Sequence, residues 1–179
     1  MKFMAADIVL TCGKPWFSKL IRWGTQHTGE EKTEVNHAGG GENEENFIEA
    51  LLRVVRTKWA DLIKQPSDTY QVWRCTKLTD EQREAIAAKM RDYLGRKYGW
   101  MKIVFQGIDG ILGKIFFADI YLARRLACMD RYPICSWVVA FAYHRVVGLL
   151  FGVPPNEATP DDILDYIKAH PGEGWVRIV

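Results

Sequence analysis

The run Tyr132-Pro133-Ile134-Cys135-Ser136-Trp137-Val138-Val139-Ala140-Phe141-Ala142-Tyr143 constrains this chain most, because it sets a cysteine at the start of a long apolar helix. Proline suits the first helical position, since its ring fixes φ and its missing N–H would be unpaired there anyway. The helix is therefore predicted to open at Pro133, with Cys135 in its first turn. Unpaired N–H groups and the positive end of the helix dipole favour an anion in that turn, which biases a thiol toward thiolate, the nucleophilic form. From Trp137 to Phe151 the one formal charge is Arg145, so this helix is apolar nearly all round and is expected to run through the middle of the fold. The plain alternative is an inert packing thiol, since free cysteines are among the most buried residues; a partner base decides between the two.

At 179 residues and 48% apolar the chain can bury a sizeable core, and a single domain spanning 1–179 is expected. Its 24 basic and 22 acidic residues nearly cancel, without a basic run that would mark a nucleic-acid footprint. Cys12, Cys75, Cys128 and Cys135 are widely spaced, with no C-x-x-C pair; reduced thiols in a cytoplasmic protein are the simplest reading. Zinc held by Cys128 and Cys135 matches no common ligand spacing, so neither metal nor cofactor is expected. Asp7 precedes any long apolar run, unlike a secretory signal. Lys102, Asp109, Lys114 and Asp119 interrupt the apolar stretch from Met101 to Ala123 too often for a membrane span.

In chain order, Ala6 to Thr11 reads as a short buried strand, and Trp16 to Gln26 as an irregular helix. Val35 to Gly40 and Asn46 to Leu51 read as two strands joined by a polar linker of hairpin length, Gly41 to Glu45. The segment Val54 to Ile63 is mixed, and Tyr70 to Cys75 is a strand rich in β formers. Thr79 and Gln82 form a capping box opening a helix with Ala85, Ile86, Met90 and Leu94 on one stripe, ended by Gly95 or Gly99. The region 101–131, with Gly107, Gly110 and Gly113, is taken as a cleft-covering insertion rather than a phosphate loop. Thr159-Pro160-Asp161-Asp162 opens a last helix, and Trp175 to Val179 a terminal strand.

Four histidines are candidate bases. His144 lies nine positions beyond Cys135, about two and a half helical turns and roughly 13 Å along the axis, on the opposite face. His170 beside Pro171 is explained by a helix C-terminus, and His27 by a polar, solvated region. His37 lies on an apolar strand among small residues, where a ring can stand over a cleft. The competing explanation is a half-buried strand histidine satisfied by a backbone carbonyl. Antiparallel pairing of the two early strands would bring Glu49 near His37, as the third group that holds a basic ring; an edge-strand salt bridge is the simpler role for that carboxylate.

The order Ala6-Asp7-Ile8-Val9-Leu10, Asn36-His37-Ala38-Gly39, Phe47-Ile48-Glu49-Ala50, Gly95-Arg96-Lys97-Tyr98 and Tyr132-Pro133-Ile134-Cys135-Ser136 resembles the circularly permuted NlpC-type papain-like cysteine hydrolases. Within them it is similar to the YiiX-like branch, related to lecithin:retinol acyltransferase-like proteins, in which the histidine strand precedes the cysteine helix. The resemblance spans most of the chain and leaves 101–131 unanchored. It departs at Trp137, where the family often has an acidic residue. It implies an α+β, permuted papain-like fold, an antiparallel sheet or barrel packed on a central helix. It also implies a triad of Cys135 as nucleophile, His37 as base and Glu49 as ring orienter.

The activity so implied is cleavage of an amide bond, peptide or isopeptide, with cell-wall peptide among the substrates, through an acyl-enzyme. A lipid acyltransferase or thioesterase of the same fold is the alternative, with the apolar segment from Met101 to Ala123 either covering the acyl chain or packing as core. A binding protein with a dead site and a tryptophan-rich surface is the rival from another class. Expected partners are therefore a peptide, amide or acyl-lipid substrate, with the oligomeric state open. A lysis- or virion-borne route would be the exception to the cytoplasm.

Overall fold

The computed structural model describes residues 2–12, 34–97 and 134–179. The expected helix from Trp16, the 101–131 insertion, His27, Cys128 and Pro133 lie outside the described residues. Six strands form one antiparallel sheet: β1 (Ile8–Thr11), β2 (His37–Gly41), β3 (Asn46–Ala50), β4 (Val54–Lys58), β5 (Tyr70–Cys75) and β6 (Trp175–Arg177). Their spatial order is β4-β3-β2-β1-β5-β6. Among the described residues four α-helices accompany them: α1 (Trp59–Ile63), α2 (Asp80–Arg91), α3 (Cys135–Val147) and α4 (Pro160–Ala169). The architecture is α+β, and of the sheet-or-barrel alternative the described residues form an open sheet, with β4 and β6 at its ends.

Side-chain alternation divides the sheet into two faces. Ile8, Leu10, Ala38 and Ile48 point toward α2 and α3 and join the larger core with Ile86, Met90, Trp137, Val139 and Ile163. Val9, Phe47 and Val72 point the other way and pack with Phe3, Trp59, Leu62 and Tyr70. Phe3 stacks on Trp59 at 4.2 Å between ring centroids. Both faces are thus covered, which explains why β1 reads as an unbroken apolar run. Gly40 lets the helices settle close: a side chain there would run into the Met90 thioether and lie 3.8 Å from Val139 Cγ2.

Charged groups inside this packing are paired, as burial demands. Asp7, fully buried, accepts two 2.7 Å bonds from the Arg74 guanidinium and one of 2.8 Å from the Met4 N–H. Glu42 accepts bonds of 2.6 and 2.9 Å from Arg56, fastening the β2–β3 hairpin to β4. Ala6 takes a left-handed φ of 61°, unusual for a residue with a Cβ. It is held there by its N–H to the Gly41 carbonyl at 2.9 Å and by the Tyr143 hydroxyl donating to its carbonyl at 2.5 Å. The second of these bonds anchors α3 to the start of β1.

Helix boundaries follow the capping chemistry. Thr79 and Gln82 form the expected capping box, and Thr159 with Asp162 forms another, with Pro160 at the first helical position. Helix α2 ends at Arg91, so Leu94 and Gly95 (φ 79°) belong to the turns after it, and Arg83 and Ala87 share its buried face. Helix α3 begins later than the proline suggests: Ile134 is the N-cap and Cys135 the first helical residue, because Ile134 keeps an extended ψ of 165°. It is buried from Cys135 through Ala140 and ends at Gly148, whose φ is 71°.

Candidate functional site

Cys135 is placed by the seating of α3. The Ser136 hydroxyl donates to the Ala158 carbonyl at 2.6 Å, and the Trp137 indole N–H to Asn156 Oδ1 at 2.7 Å. Trp137 also stacks on Phe141 at 4.7 Å, with Tyr93 edge-on at 4.9 Å. The first turn is therefore pinned by the two residues that follow the cysteine, and its leading backbone N–H groups lack acceptors within the helix. Where the resembled family often carries an acid, Trp137 serves as a packing anchor.

His37 opens β2, opposite Thr11 on β1. The β2–β3 register pairs Gly39 with Glu49, so His37 and Glu49 are diagonal neighbours on one face, a separation long side chains can bridge. Gly39 leaves the space between them open; a Cβ there would lie 3.4 Å from Glu49 Cβ and 3.0 Å from the Ile48 carbonyl. His37 Nε2 and Glu49 Oε2 are 2.8 Å apart, with 20% and 12% of the side chains exposed. The second contact of the ring is Cys135, which hydrogen-bonds it and, as thiolate, attracts its charge. Three side chains separated widely in sequence thus meet in one line, Cys135–His37–Glu49. The other oxygen of the carboxylate, Oε1, accepts a 2.5 Å bond from the Thr57 hydroxyl on β4.

The electrostatics follow from this line. Burial alone would push the His37 pKa down, but the Cys135 sulfur, by charge and hydrogen bond, and then Glu49 lift it to about 10. The ring is accordingly an imidazolium at neutral pH, donating from Nε2 to Glu49. Burial alone would raise the Glu49 carboxyl; the hydrogen bond and charge of His37, with the Thr57 hydroxyl, hold it below its ordinary value. Such an arrangement stores a proton on a ring between a sulfur and a carboxylate, the distribution of charge that activates a thiol for attack on carbonyl carbon.

The remaining candidates fall elsewhere. His144 is exposed in the last turn of α3. His170 caps α4, its ring stacked on Tyr166 at 4.1 Å and its Nδ1 2.8 Å from the Tyr166 carbonyl oxygen. Glu49 is not on an edge: β3 lies between β2 and β4, so its charge answers to the histidine rather than to a solvent-side salt bridge. Thr57 is the residue that sequence reasoning missed. The signal was the alternation of Val55 and Thr57 with exposed Arg56 and Lys58, obscured by the helix that starts at Trp59. The expected tryptophan-rich surface does not hold for Trp59, Trp137 and Trp175, which are core residues.

No protein-family model and no curated protein sequence matches the chain. Among solved structures it is similar to one described as the crystal structure of metalloprotein yiiX from Escherichia coli O157:H7, DUF1105. The TM-score is 0.63 at 16% identity, over 100% of this chain and 98% of that one. At that identity the likeness is one of fold, an α+β arrangement.

Proposed function

We propose that this protein is a cysteine hydrolase of the permuted papain-like, YiiX-like kind, cleaving an amide bond through an acyl-enzyme. The observation that carries this reading is the Cys135–His37–Glu49 line at the start of a buried helix. The histidine-first order of the strands and the yiiX likeness support it at the level of fold.

In the proposed reaction the Cys135 thiolate attacks the carbonyl carbon, and the electron pair moves to oxygen, where backbone N–H groups of the first turn of α3 stabilise it. Collapse of this intermediate breaks the C–N bond while the His37 imidazolium gives its proton to the leaving amine. The neutral ring then takes a proton from water, the hydroxide attacks the thioester, and the acid leaves with the thiolate and imidazolium restored. Glu49 keeps the ring in the orientation both steps need. The similar yiiX structure is described as that of a metalloprotein; in this chain no three His, Cys, Asp or Glu side chains are grouped to hold a metal ion among the described residues.

Substitution of Cys135 by Ala is expected to leave a folded protein that turns over neither small peptide amides nor short-chain esters; unchanged turnover would contradict the reading. A second reading, an acyl-lipid substrate for the same chemistry, is favoured by Leu51 and Leu52, which are 50% and 73% exposed just beyond the end of β3 that carries Glu49. Under it, replacing both leucines by Ser raises KM for long-chain esters and leaves peptide amides unaffected. Equal effects on both substrates would favour the amidase.

A further inference from the structure

We propose that Thr57 is a positioning residue for the Cys135–His37 pair, acting through Glu49 as the fourth member of a line that crosses three strands. This rests on the reading of Cys135 and His37 as nucleophile and base, and adds to it a residue that touches neither.

The register places Thr57 where such a role is possible. Glu49 pairs with Val55 and Phe47 with Thr57, so Thr57 is diagonal to Glu49 across β3–β4, as His37 is diagonal to Glu49 across β2–β3. Strands β2 and β4 run in the same direction on either side of β3. His37 is displaced toward the start of β2 and Thr57 toward the end of β4, so the three form an oblique row on one face. Each carboxylate oxygen then has a partner from a different strand: Oε2 faces His37 Nε2 at 2.8 Å and Oε1 accepts from the Thr57 hydroxyl at 2.5 Å. A carboxylate held at one oxygen turns easily, because its terminal torsion is broad. Held at both, its plane is set, and with it the direction from which Oε2 meets the ring. The hydroxyl also helps keep Glu49 ionised. Arg56 and Lys58, on either side, are exposed, whereas Thr57 is half-buried toward the carboxylate.

The test is the rate at which iodoacetamide alkylates Cys135 at pH 7, mapped by peptide mass in the full chain, with Thr57→Val, Thr57→Ser and His37→Ala compared with the wild type. Thr57→Val keeps the shape and removes the donor. It is expected to slow alkylation about tenfold, the effect of losing a hydrogen bond to a charged group, and to move the alkaline limit of the rate profile to lower pH. Thr57→Ser, which keeps the hydroxyl, restores most of the rate, a rescue that a purely steric role would not give. If His37→Ala slows alkylation while Thr57→Val does not, the inference is overturned and the hydrolase reading stands. If Val and Ser at position 57 slow it equally, or if Thr57→Val unfolds the protein, the hydroxyl or the volume serves the fold and the inference is overturned. If His37→Ala itself changes nothing, the underlying reading fails first.

Discussion

A histidine with a pKa near 10 is protonated at every physiological pH, and here the sulfur beside it is the leading reason. Burial of the ring would by itself favour the neutral form, so the shift measures how strongly Cys135 and Glu49 stabilise the cation. Removing the sulfur should then lower the histidine's pKa. In a Cys135→Ala protein the His37 midpoint, followed by NMR of the ring, is expected to fall well below that of the wild type, because burial, which favours the neutral ring, is then opposed by Glu49 alone. A midpoint unchanged from the wild type would mean that the sulfur is no partner of the ring. Cys75 offers the internal contrast: it is buried, donates to the Glu173 carbonyl at 3.6 Å, and has the environment of a packing thiol.

At the scale of elements, β2 carries His37 and is closely approached at its glycines. Its glycines admit neighbours of different stiffness. A methyl at Gly40 meets the end of the flexible Met90 side chain, whereas one at Gly41 meets the Met4 backbone carbonyl and lies 3.1 Å from the Asp7 N–H. Gly41→Ala is therefore expected to destabilise the fold by about 2 kcal/mol and Gly40→Ala by less, because backbone yields less than a thioether end; chemical denaturation of both variants measures the difference, and equal losses would contradict it. The β2–β3 hairpin could be anticipated from its sequence because two apolar runs flank a polar linker. The diagonal contact of His37 and Glu49 follows only with the register that pairs Gly39 with Glu49. Strand β4 could not be read this way: its pattern, VVRTK, runs directly into the helical WADLI without a breaking residue, so Thr57 had no assigned face. Cys135 rather than Pro133 is the first helical residue of α3; a proline in the sequence marks a helix start only to within one or two residues.

Over the whole molecule, the site exists only because distant segments converge. The larger core joins β1, β2 and β3 to α2, α3 and α4, the Tyr143 hydroxyl ties α3 to the turn before β1, and Ser136 and Trp137 tie its first turn to the segment before α4. These contacts fix where the helix start stands relative to the end of the sheet that bears His37. No described helix is long and apolar enough to cross a membrane. If this convergence makes Cys135 a nucleophile, the rate of its alkylation by iodoacetamide at pH 6 reveals it. Cys135 is predicted to react faster than Cys12 and Cys75, and to slow on the order of a hundredfold in a folded His37→Ala protein, since an unassisted thiol is almost wholly protonated at that pH. Labelling of Cys135 no faster than that of the other two, and indifferent to the loss of His37, would contradict the account.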